Sequence, residues 1–506
     1  MKTELKYCLF FLGLICYAMF FTDQFTFSFK YSTYTDTFNL YGLHTITNPA
    51  LFPGDRGADL FRDTVANPGA GTFLFVLLYK SLLALTDLPC AMKTISLLSA
   101  FLSAFLIYRA GLLLTENKDT AFLLTSFHTI YFLSMNSFYF GQPRTLGALI
   151  NSLLIYTLCS KKYLLIPFFT PLFYATYSYL AFSSSILAVA TPVFRKKELA
   201  GHGRSYLTAL VLAATLTLLT TAGTSSKILQ NQTGLFKYKS SSSAGIQMDS
   251  RNVADILVNF VFNINEYSLL YLILTCLLLT ATCTVFFKNG RQSLKPLTKA
   301  FGPACASFLA GFILLYPLNP VFAARQLSLI LPSMIALAAG LAAAELSGEK
   351  IKKALPWLAA LLFMALHPFF NYITDFKSFS GIYHYIGGLP VGSTLAGDPS
   401  SMVYAGVPLY AKRKIFFAQE ISSVYIAAGG DVKRSSELLF QVLCTDSVRE
   451  IRETAGAEKI THFLVEEEFY RKHRGCQNTL FTRAREAGIE FKTTKGRIYL
   501  LDTGKI

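Results

Sequence analysis

Long apolar runs separated by short polar loops make up the chain as far as about residue 373. These runs are roughly 16 to 22 residues long, close to the length of about 20 that a helix needs to cross the hydrocarbon core of a bilayer. Strands of alternating polarity, which a transmembrane barrel needs, are not seen in this region. The pattern predicts a polytopic α-helical membrane protein. Eleven spans are predicted, at residues 5–22, 94–115, 120–137, 145–160, 163–178, 180–194, 205–222, 267–287, 300–317, 327–346 and 354–371.

The short loops between these runs are rich in lysine and arginine, which marks the cytoplasmic side of a membrane protein. This rule places the amino terminus inside and the carboxyl terminus outside. The apolar run at 72–87 is then not a full span, because a crossing there would put Lys161 and Lys162 on the outer side. We predict that it lies in the outer interface or enters the membrane and returns. If it crosses, the count rises to twelve.

Two outer loops are long, at residues 23–93 and 223–266, and long loops often carry function. After about residue 374 the pattern changes to short strand-like runs, such as "THFLVEE", separated by segments with helical spacing. This alternation predicts a small α/β domain at 374–506, following a membrane domain at 1–373.

The composition agrees with a membrane protein, since 53% of the residues are hydrophobic and only 15% are charged. The formal net charge of +16 lies largely in the short loops, so it indicates membrane topology and not a nucleic-acid partner. Most of the nine cysteines fall inside apolar spans. Cys444 and Cys476 lie in the carboxyl-terminal tail and could pair if that tail is outside the cytoplasm.

Acidic residues are concentrated in the first outer loop, where Asp36, His44, Asp55 and Asp59 are the candidates for chemistry. A single loop carboxylate is more often a solvated charge or a helix cap. In "TNPALFPGD", however, two prolines and a glycine fix the backbone beside Asp55. A carboxylate held where protein meets lipid is partly desolvated, which raises its pKa and suits it to accept a proton.

Three cations, Lys80, Arg144 and Arg325, are predicted to lie in the same outer leaflet. A charge in or near the hydrocarbon is costly, so it has either a partner or a route to the headgroups. Snorkelling to the headgroups explains each one alone. Their convergence would make a phosphate site, since the planar fork of arginine matches phosphate oxygens. A divalent metal is compatible with carboxylates and phosphate, although no ligand cluster of convincing spacing occurs.

The sequence resembles the C-type superfamily of membrane glycosyltransferases, which includes protein mannosyltransferases and the aminoarabinose transferases of lipid A. The resemblance rests on "LFPGD" at 51–55, "PR" at 143–144 and Arg325 opening a late span, in that order along the chain. It departs from many members in lacking an acidic pair just after the first span. Which of Asp36 and Asp55 corresponds to the acidic residue of the family therefore stays open.

The resemblance implies a polyprenyl-phosphate-linked sugar as donor and an inverting transfer of a hexosyl or pentosyl group at the outer face of a bacterial inner membrane. Asp55 or Asp36 would be the catalytic base, and Arg325, Arg144 and Lys80 would contact the phosphate. His44 and Asp59 are further candidates for contact with substrate. The acceptor, whether glycan, lipid or protein, is not indicated. The alternatives are a lipid-linked sugar transporter or flippase, and a non-catalytic assembly subunit.

Overall fold

The computed structural model describes residues 2–21, 35–55, 58–59, 73–134, 143–222, 295–317, 320–370, 376–419, 431–493 and 496–506. The second long loop and the predicted span at 267–287 lie outside these ranges. Up to residue 370 the described elements are all helical. The α-helices are α1 (Lys2–Phe21), α2 (Phe73–Leu83), α3 (Leu88–Thr115), α4 (Lys118–Ser134), α5 (Pro143–Cys159), α6 (Phe169–Tyr177), α7 (Ala181–Phe194), α8 (Gly203–Ala222), α9 (Lys295–Leu315), α10 (Pro320–Leu327), α11 (Ile330–Leu346) and α12 (Glu349–Phe370).

Several of these helices are long and apolar enough to cross a membrane. Within the described ranges four stretches meet that standard, namely Leu88–Thr115, Tyr163–Phe194, Lys295–Leu315 and Ala323–Leu346. Leu74–Leu83 and Gly203–Leu219 are shorter apolar helices. The chain is a multi-pass integral membrane protein, as the apolar pattern predicts. The number of eleven spans stays a prediction.

The stretch Tyr163–Phe194 is a hairpin and not one straight helix. The Arg195 guanidinium lies over the Tyr163 ring, 5.2 Å from its centroid, and the Ser184 hydroxyl lies 3.4 Å from that of Thr170. In a straight helix the ends of this stretch would be about 48 Å apart at 1.5 Å per residue. The chain reverses at a short 3-10 helix, Ser178–Leu180. The stretch therefore has two arms, which correspond to the runs at 163–178 and 180–194; that each arm crosses the membrane stays a prediction.

Segments with the predicted cytoplasmic charges meet at one end of the bundle. Lys118 pairs with Glu4 at 3.3 Å, and Lys353 pairs with Asp119 at 3.6 Å. Tyr7 donates a hydrogen bond to the same aspartate at 2.7 Å. These contacts bring together the starts of α1, α4 and α12. We call this end of the molecule the basic end.

The opposite end is built around a core that the first loop shares with the carboxyl-terminal part of the chain. Its members come from the loop, from α2, from the starts of α3 and α5 and from residues beyond 376. The loop and the carboxyl-terminal part therefore lie on the same side of the bundle and pack on each other. Representative members of this core are Tyr41, Phe52, Tyr79, Leu88, Leu146, Ile382, Leu395 and Leu464.

The carboxyl-terminal part contains a mixed five-stranded sheet of order β2-β1-β3-β5-β4. Strand β1 pairs in parallel with β2 and β3, whereas β5 pairs antiparallel with β3 and β4. The strands are β1 (Thr394–Gly397), β2 (Lys414–Ile415), β3 (His462–Glu466), β4 (Ile489–Thr493) and β5 (Gly496–Asp502). The helices are α13 (Ser380–Gly387), α14 (Met402–Ala405), α15 (Val407–Tyr410), α16 (Val432–Cys444), α17 (Val448–Ala457), α18 (Glu467–Lys472) and α19 (Thr479–Ala487).

The strand-like runs of the sequence correspond to these strands. "THFLVEE" forms β3, and "IEFKTTKGRIYLLD" forms the hairpin of β4 and β5. Cys444 and Cys476 form a disulfide between the end of α16 and the segment that precedes α19. The predicted domain boundary at residue 374 falls in 371–375, outside the described residues.

Candidate functional site

Two arginines from different helices converge at the end of the bundle opposite the basic end. Arg144 lies in the first turn of α5, which begins at Pro143, a residue favoured at that position because it has no backbone N–H to satisfy. Arg325 lies in the last turn of α10, with its guanidinium 4.5 Å from the centroid of the Tyr179 ring. The positive charges of both arginines act on the hydroxyl of Tyr177. This convergence brings together two of the three cations singled out in the sequence.

Tyr177 lies at the centre of this group. Its side chain is only 3% exposed, and its hydroxyl lies beside the Arg144 and Ser328 side chains. Among the described residues it has no hydrogen-bond partner of standard geometry. An unsatisfied buried hydroxyl costs about 1–3 kcal/mol. A donor is therefore held between two guanidinium groups, in a position suited to an anionic oxygen.

Gly147 allows Tyr177 to reach this position. A Cβ at Gly147 would lie 2.8 Å from Cδ1 and 2.9 Å from Cβ of Tyr177, closer than real Cβ contacts allow. Gly147 follows Arg144 by three residues, so both lie on one face of α5. The Tyr177 ring can pack against this face only because the residue there has no side chain.

Gln326 ties the hairpin turn to the segment that carries Arg325. Its side-chain amide donates to the backbone carbonyl of Tyr179. Its carbonyl oxygen Oε1 accepts hydrogen bonds from the Ser183 hydroxyl at 2.7 Å and the Ser183 backbone N–H at 3.3 Å. The group of Arg144, Tyr177, Tyr179, Arg325 and Ser328 is called the arginine–tyrosine cluster below.

Tyr177, Tyr179 and Gln326 are not among the site residues predicted from the sequence. A usable signal was present, because tyrosines are enriched where spans meet the membrane interface. "TYSYL" places two of them at the outer end of a predicted span. Pairing them with two arginines 33 and 146 residues away is a tertiary fact, which a single sequence does not contain.

Asp55 lies in a tight turn of the first loop. Its Oδ1 accepts hydrogen bonds from the Tyr41 hydroxyl at 2.6 Å and from the Ala58 backbone N–H at 2.9 Å. Gly54 has a φ of 66°, in the left-handed region that glycine adopts without strain. The Gly54 carbonyl accepts a hydrogen bond from Lys414 Nζ at 3.3 Å. The carboxylate thus caps the next turn, and the turn itself is fastened to β2.

His44 fastens the same loop to the carboxyl-terminal part. It is buried, and its Nε2 lies 2.8 Å from the Leu409 carbonyl oxygen. Burial lowers the pKa of His44 to about 4, with the Lys412 charge acting in the same direction. The ring is therefore neutral near pH 7 and donates from Nε2 to the carbonyl.

The remaining candidates lie around this loop. Asp59 is half-buried, and its backbone N–H donates to the Asp55 carbonyl at 2.9 Å. Lys80 is exposed on α2. The backbone of Asp36 lies in a 3-10 helix, Thr35–Ile46. The described contacts join Arg144 to Arg325 through Tyr177, whereas those of Asp55 and His44 lie within the loop and with the carboxyl-terminal part.

The loop and the arginine–tyrosine cluster nevertheless border one packed region. Phe52, three residues before Asp55, and Leu146, two residues after Arg144, belong to the same core. Acidic and cationic candidates therefore lie at the same end of the molecule.

A metal site is not formed by the part of the chain that the structure describes. No group of three or more His, Cys, Asp or Glu side chains lies close enough there to hold an ion. Asp55 Oδ1 is already used by Tyr41 and Ala58.

No family model matches the sequence, and no curated protein matches it. Solved structures of the oligosaccharyltransferase of Archaeoglobus fulgidus are similar to the chain. A crystal structure of that enzyme with Zn and sulfate aligns at 11% identity and a TM-score of 0.52, covering 97% of this chain and 72% of that one. A complex of AglB, the oligosaccharyltransferase of the same organism, with an inhibitory peptide and a dolichol-phosphate aligns at 10% identity and a TM-score of 0.53. It covers 99% of this chain and 74% of that one.

A third structure, with a tethered acceptor peptide containing the NVT sequon, aligns at 9% identity, again with a TM-score of 0.53 and 99% and 74% coverage. The similarity spans nearly the whole chain, including the carboxyl-terminal part. The chain thus has the fold of an oligosaccharyltransferase, a C-type membrane glycosyltransferase. The fold implied by the sequence resemblance is confirmed.

Proposed function

We propose that the protein is a membrane glycosyltransferase that takes a sugar or glycan from a polyprenyl-phosphate carrier at the face opposite its basic end. One observation carries this proposal: Arg144, Arg325 and the buried Tyr177 hydroxyl converge in a chain with an oligosaccharyltransferase fold. A binding site for a lipid phosphate needs such a set of donors where helices meet the interface.

The cluster supplies what a departing lipid phosphate requires. As the glycosidic bond breaks, negative charge builds on the phosphate oxygens. Two guanidinium groups can each present paired N–H donors to those oxygens, and Tyr177 can donate a further hydrogen bond. Fixed donors at a site with little water stabilise such charge strongly, and losing one typically costs a factor of about 100 to 1,000 in rate.

The acceptor has to lose a proton, and a carboxylate of the first loop is proposed as the base. Both described hydrogen bonds of Asp55 end on Oδ1, so Oδ2 is the oxygen that would take the proton. Asp36 is the other candidate. A base with no separate nucleophile acts by a single displacement, which inverts the configuration at the anomeric carbon.

The nature of the donor is part of the proposal. The sequence resemblance favours a single sugar on a polyprenyl phosphate, whereas oligosaccharyltransferases use a lipid-linked oligosaccharide. The similar archaeal enzyme was solved with an inhibitory peptide and a dolichol-phosphate, and separately with an acceptor peptide, which supports a lipid phosphate as the released product. Glycan, lipid and protein all stay open as acceptors.

The orientation is proposed from two features. Lysine-rich loops gather at the basic end, which suits the cytoplasmic side. The disulfide of Cys444 and Cys476 lies in the carboxyl-terminal part, and disulfides persist in oxidising compartments. Both features support a carboxyl-terminal part outside the cytoplasm, as in a bacterial inner membrane, and the eleven spans predicted from the sequence agree with that orientation.

The test is cleavage of labelled carriers by the purified protein, with host membrane extract as the source of acceptor. Radiolabelled polyprenyl-phosphate sugar and polyprenyl-pyrophosphate oligosaccharide are supplied separately, and release of the lipid phosphate from the first and of the lipid pyrophosphate from the second is measured. We expect release from one of them, and a loss of about 100-fold or more in Arg144→Ala/Arg325→Ala. The exposed Arg204 near the start of α8 gives the matched control, Arg204→Ala, which should keep wild-type activity.

Two outcomes would contradict this proposal, the first the enzyme activity itself and the second the assignment of the base. Movement of intact lipid across liposomes without cleavage would indicate a transporter. Unchanged release in Asp55→Asn/Asp36→Asn would show that neither carboxylate is the base.

A further inference from the structure

A cavity lies between the first loop and the carboxyl-terminal part, separate from the arginine–tyrosine cluster. It has a volume of about 590 Å³ and is lined by residues 44–51 on one side and by residues 383–413 on the other. Ligand sites commonly have volumes of about 300–1,000 Å³ and form where two parts of a protein meet. We call it the junction cavity.

Among the described residues that line the junction cavity, four have basic side chains and none has an acidic one. They are His44, His384, Lys412 and Arg413. His384 and Lys412 are exposed, so their side chains are accessible to a ligand. His44 is buried and neutral near pH 7, as described above. The charges on the described part of the lining thus have one sign.

Arg413 is the buried charge of this cavity. Its side chain is 8% exposed, and its guanidinium donates to backbone carbonyls, including Leu389 from Nε at 2.8 Å and Lys412 at 3.0 Å. Within the described ranges no carboxylate lies within 4 Å of it. Carbonyl oxygens satisfy its hydrogen bonds but do not neutralise its charge, and a buried unpaired charge is costly.

Lys412 holds a second charge at the rim. It follows α15 with a φ of 55°, the left-handed conformation in which helices usually end on glycine or asparagine. A lysine there adds a cation next to Arg413 where a neutral residue would fit the backbone better. Lys414 donates a hydrogen bond to the Gly54 carbonyl and so holds the first loop beside the cavity.

From this arrangement we propose that the junction cavity binds an oxyanion of phosphate or carboxylate chemistry, contacted by Lys412 and His384 and attracted by the buried charge of Arg413. Tyr383 and Tyr410 also line the cavity and give the remainder of such a ligand an aromatic wall. The anion has two possible sources, a soluble phosphate or carboxylate compound and the headgroup of an anionic lipid.

This site does not depend on the proposed transferase activity, and its test uses binding alone. The full-length protein carrying Arg144→Ala/Arg325→Ala is used throughout, so that phosphate cannot bind at the arginine–tyrosine cluster. Equilibrium dialysis with radiolabelled inorganic phosphate in detergent at low salt measures binding of the free anion. Nanodiscs containing phosphatidylglycerol or only phosphatidylcholine measure the lipid source.

The decisive variant is Lys412→Ala/His384→Ala, since both residues are exposed and their replacement leaves the core intact. The matched control is Lys433→Ala, an exposed lysine on α16 in the same part of the chain. We expect at least a tenfold loss of affinity for phosphate in the double variant and none in the control. Preferential retention of phosphatidylglycerol, lost in the same variant, would assign the site to a lipid headgroup. Equal binding of both probes by variant and control would overturn the proposal.

Discussion

At the scale of single residues, the site contains a group that lowers the stability of the empty protein but favours the binding of an anion. Tyr177 places a buried hydroxyl, which has no hydrogen-bond partner of standard geometry among the described residues, beside two guanidinium groups. Such an arrangement destabilises the empty protein and favours a bound anion. Gly147 makes room for the Tyr177 ring because it has no side chain. Folded proteins retain such locally unfavourable arrangements at functional sites.

Replacing Tyr177 by phenylalanine should therefore raise stability and lower affinity. The ring still packs on Gly147, while the buried hydroxyl and its cost of about 1–3 kcal/mol are removed. We expect a higher midpoint of thermal unfolding together with an increase of about tenfold or more in the Kd for polyprenyl phosphate. Differential scanning fluorimetry and a filter-binding assay measure the two quantities.

The matched control is Tyr156→Phe. Tyr156 lies near the end of α5, whereas Arg144 lies in the first turn, so this change should alter neither the midpoint of unfolding nor the Kd. A fall in stability of Tyr177→Phe with unchanged affinity would assign the hydroxyl a purely structural role.

Two ionisable groups, the buried His44 and the half-buried Glu466, have pKa shifts in opposite directions. The pKa of His44 falls to about 4 by burial, whereas burial raises the pKa of Glu466 to about 7. As pH falls from about 6.5 to 4, unfolded His44 takes up a proton that the folded ring refuses, so stability is lost. As pH falls from about 7 to 4.5, folded Glu466 is already protonated and the unfolded carboxylate is not, so stability is gained. Each effect is on the order of 3 kcal/mol.

The two contributions should nearly cancel between pH 4.5 and 6.5. Hydrogen exchange of the β1 and β3 amides, corrected for the intrinsic rate, measures the local stability in this window. We expect a small slope in the wild type, a loss of protection on acidification in Glu466→Gln, and a gain on acidification in His44→Gln. Equal slopes in all three proteins would show that neither group shifts as described.

At the scale of elements, the hairpin of α6 and α7 positions the cluster. Its turn presents Tyr177 and Tyr179, and Gln326 binds that turn to the segment that carries Arg325. The sequence predicts the two arms well, because each is an apolar run with a basic loop at one end. It does not predict that Ser183 on the returning arm lies against Gly311 on α9, because this contact joins segments more than a hundred residues apart.

The close approach of α7 and α9 gives a sharp test. A Cβ at Gly311 would overlap the Ser183 hydroxyl, which is bonded to Gln326. Gly311→Ala should therefore destabilise the protein by about 1–3 kcal/mol, since overpacking forces the helices apart. Because the Ser183–Gln326 bond is disturbed, we also expect weaker binding of polyprenyl phosphate.

Gly302 on the same helix provides the matched control, since a Cβ there meets nothing within 4 Å. Gly302→Ala should be neutral or stabilising by up to about 1 kcal/mol, because alanine has the higher helix propensity. If both variants melt alike, the helices are not as close as described.

At the scale of the whole molecule, the described contacts sort the chain into a basic end and an opposite end that holds the first loop, the cluster and the sheet. Hydrophobic run length and loop charge were enough to predict this polarity, and alternating strand and helix patterns predicted the α/β part. The docking of the loop through His44 and Lys414 was not predictable, because a histidine and a lysine in polar segments give no sign of their partners. The grouping of Arg144 with Arg325 was expected only as a convergence of charges, and Tyr177 was not foreseen.

The central claim is that the arginine–tyrosine cluster holds the phosphate of a polyprenyl carrier. Cryo-electron microscopy of the protein in nanodiscs with bound polyprenyl phosphate locates that phosphate directly. We expect its density within hydrogen-bonding distance, about 2.7–3.2 Å, of the Arg144 and Arg325 guanidinium groups and the Tyr177 hydroxyl. A phosphate resolved at the basic end, or beside neither arginine, would contradict the claim.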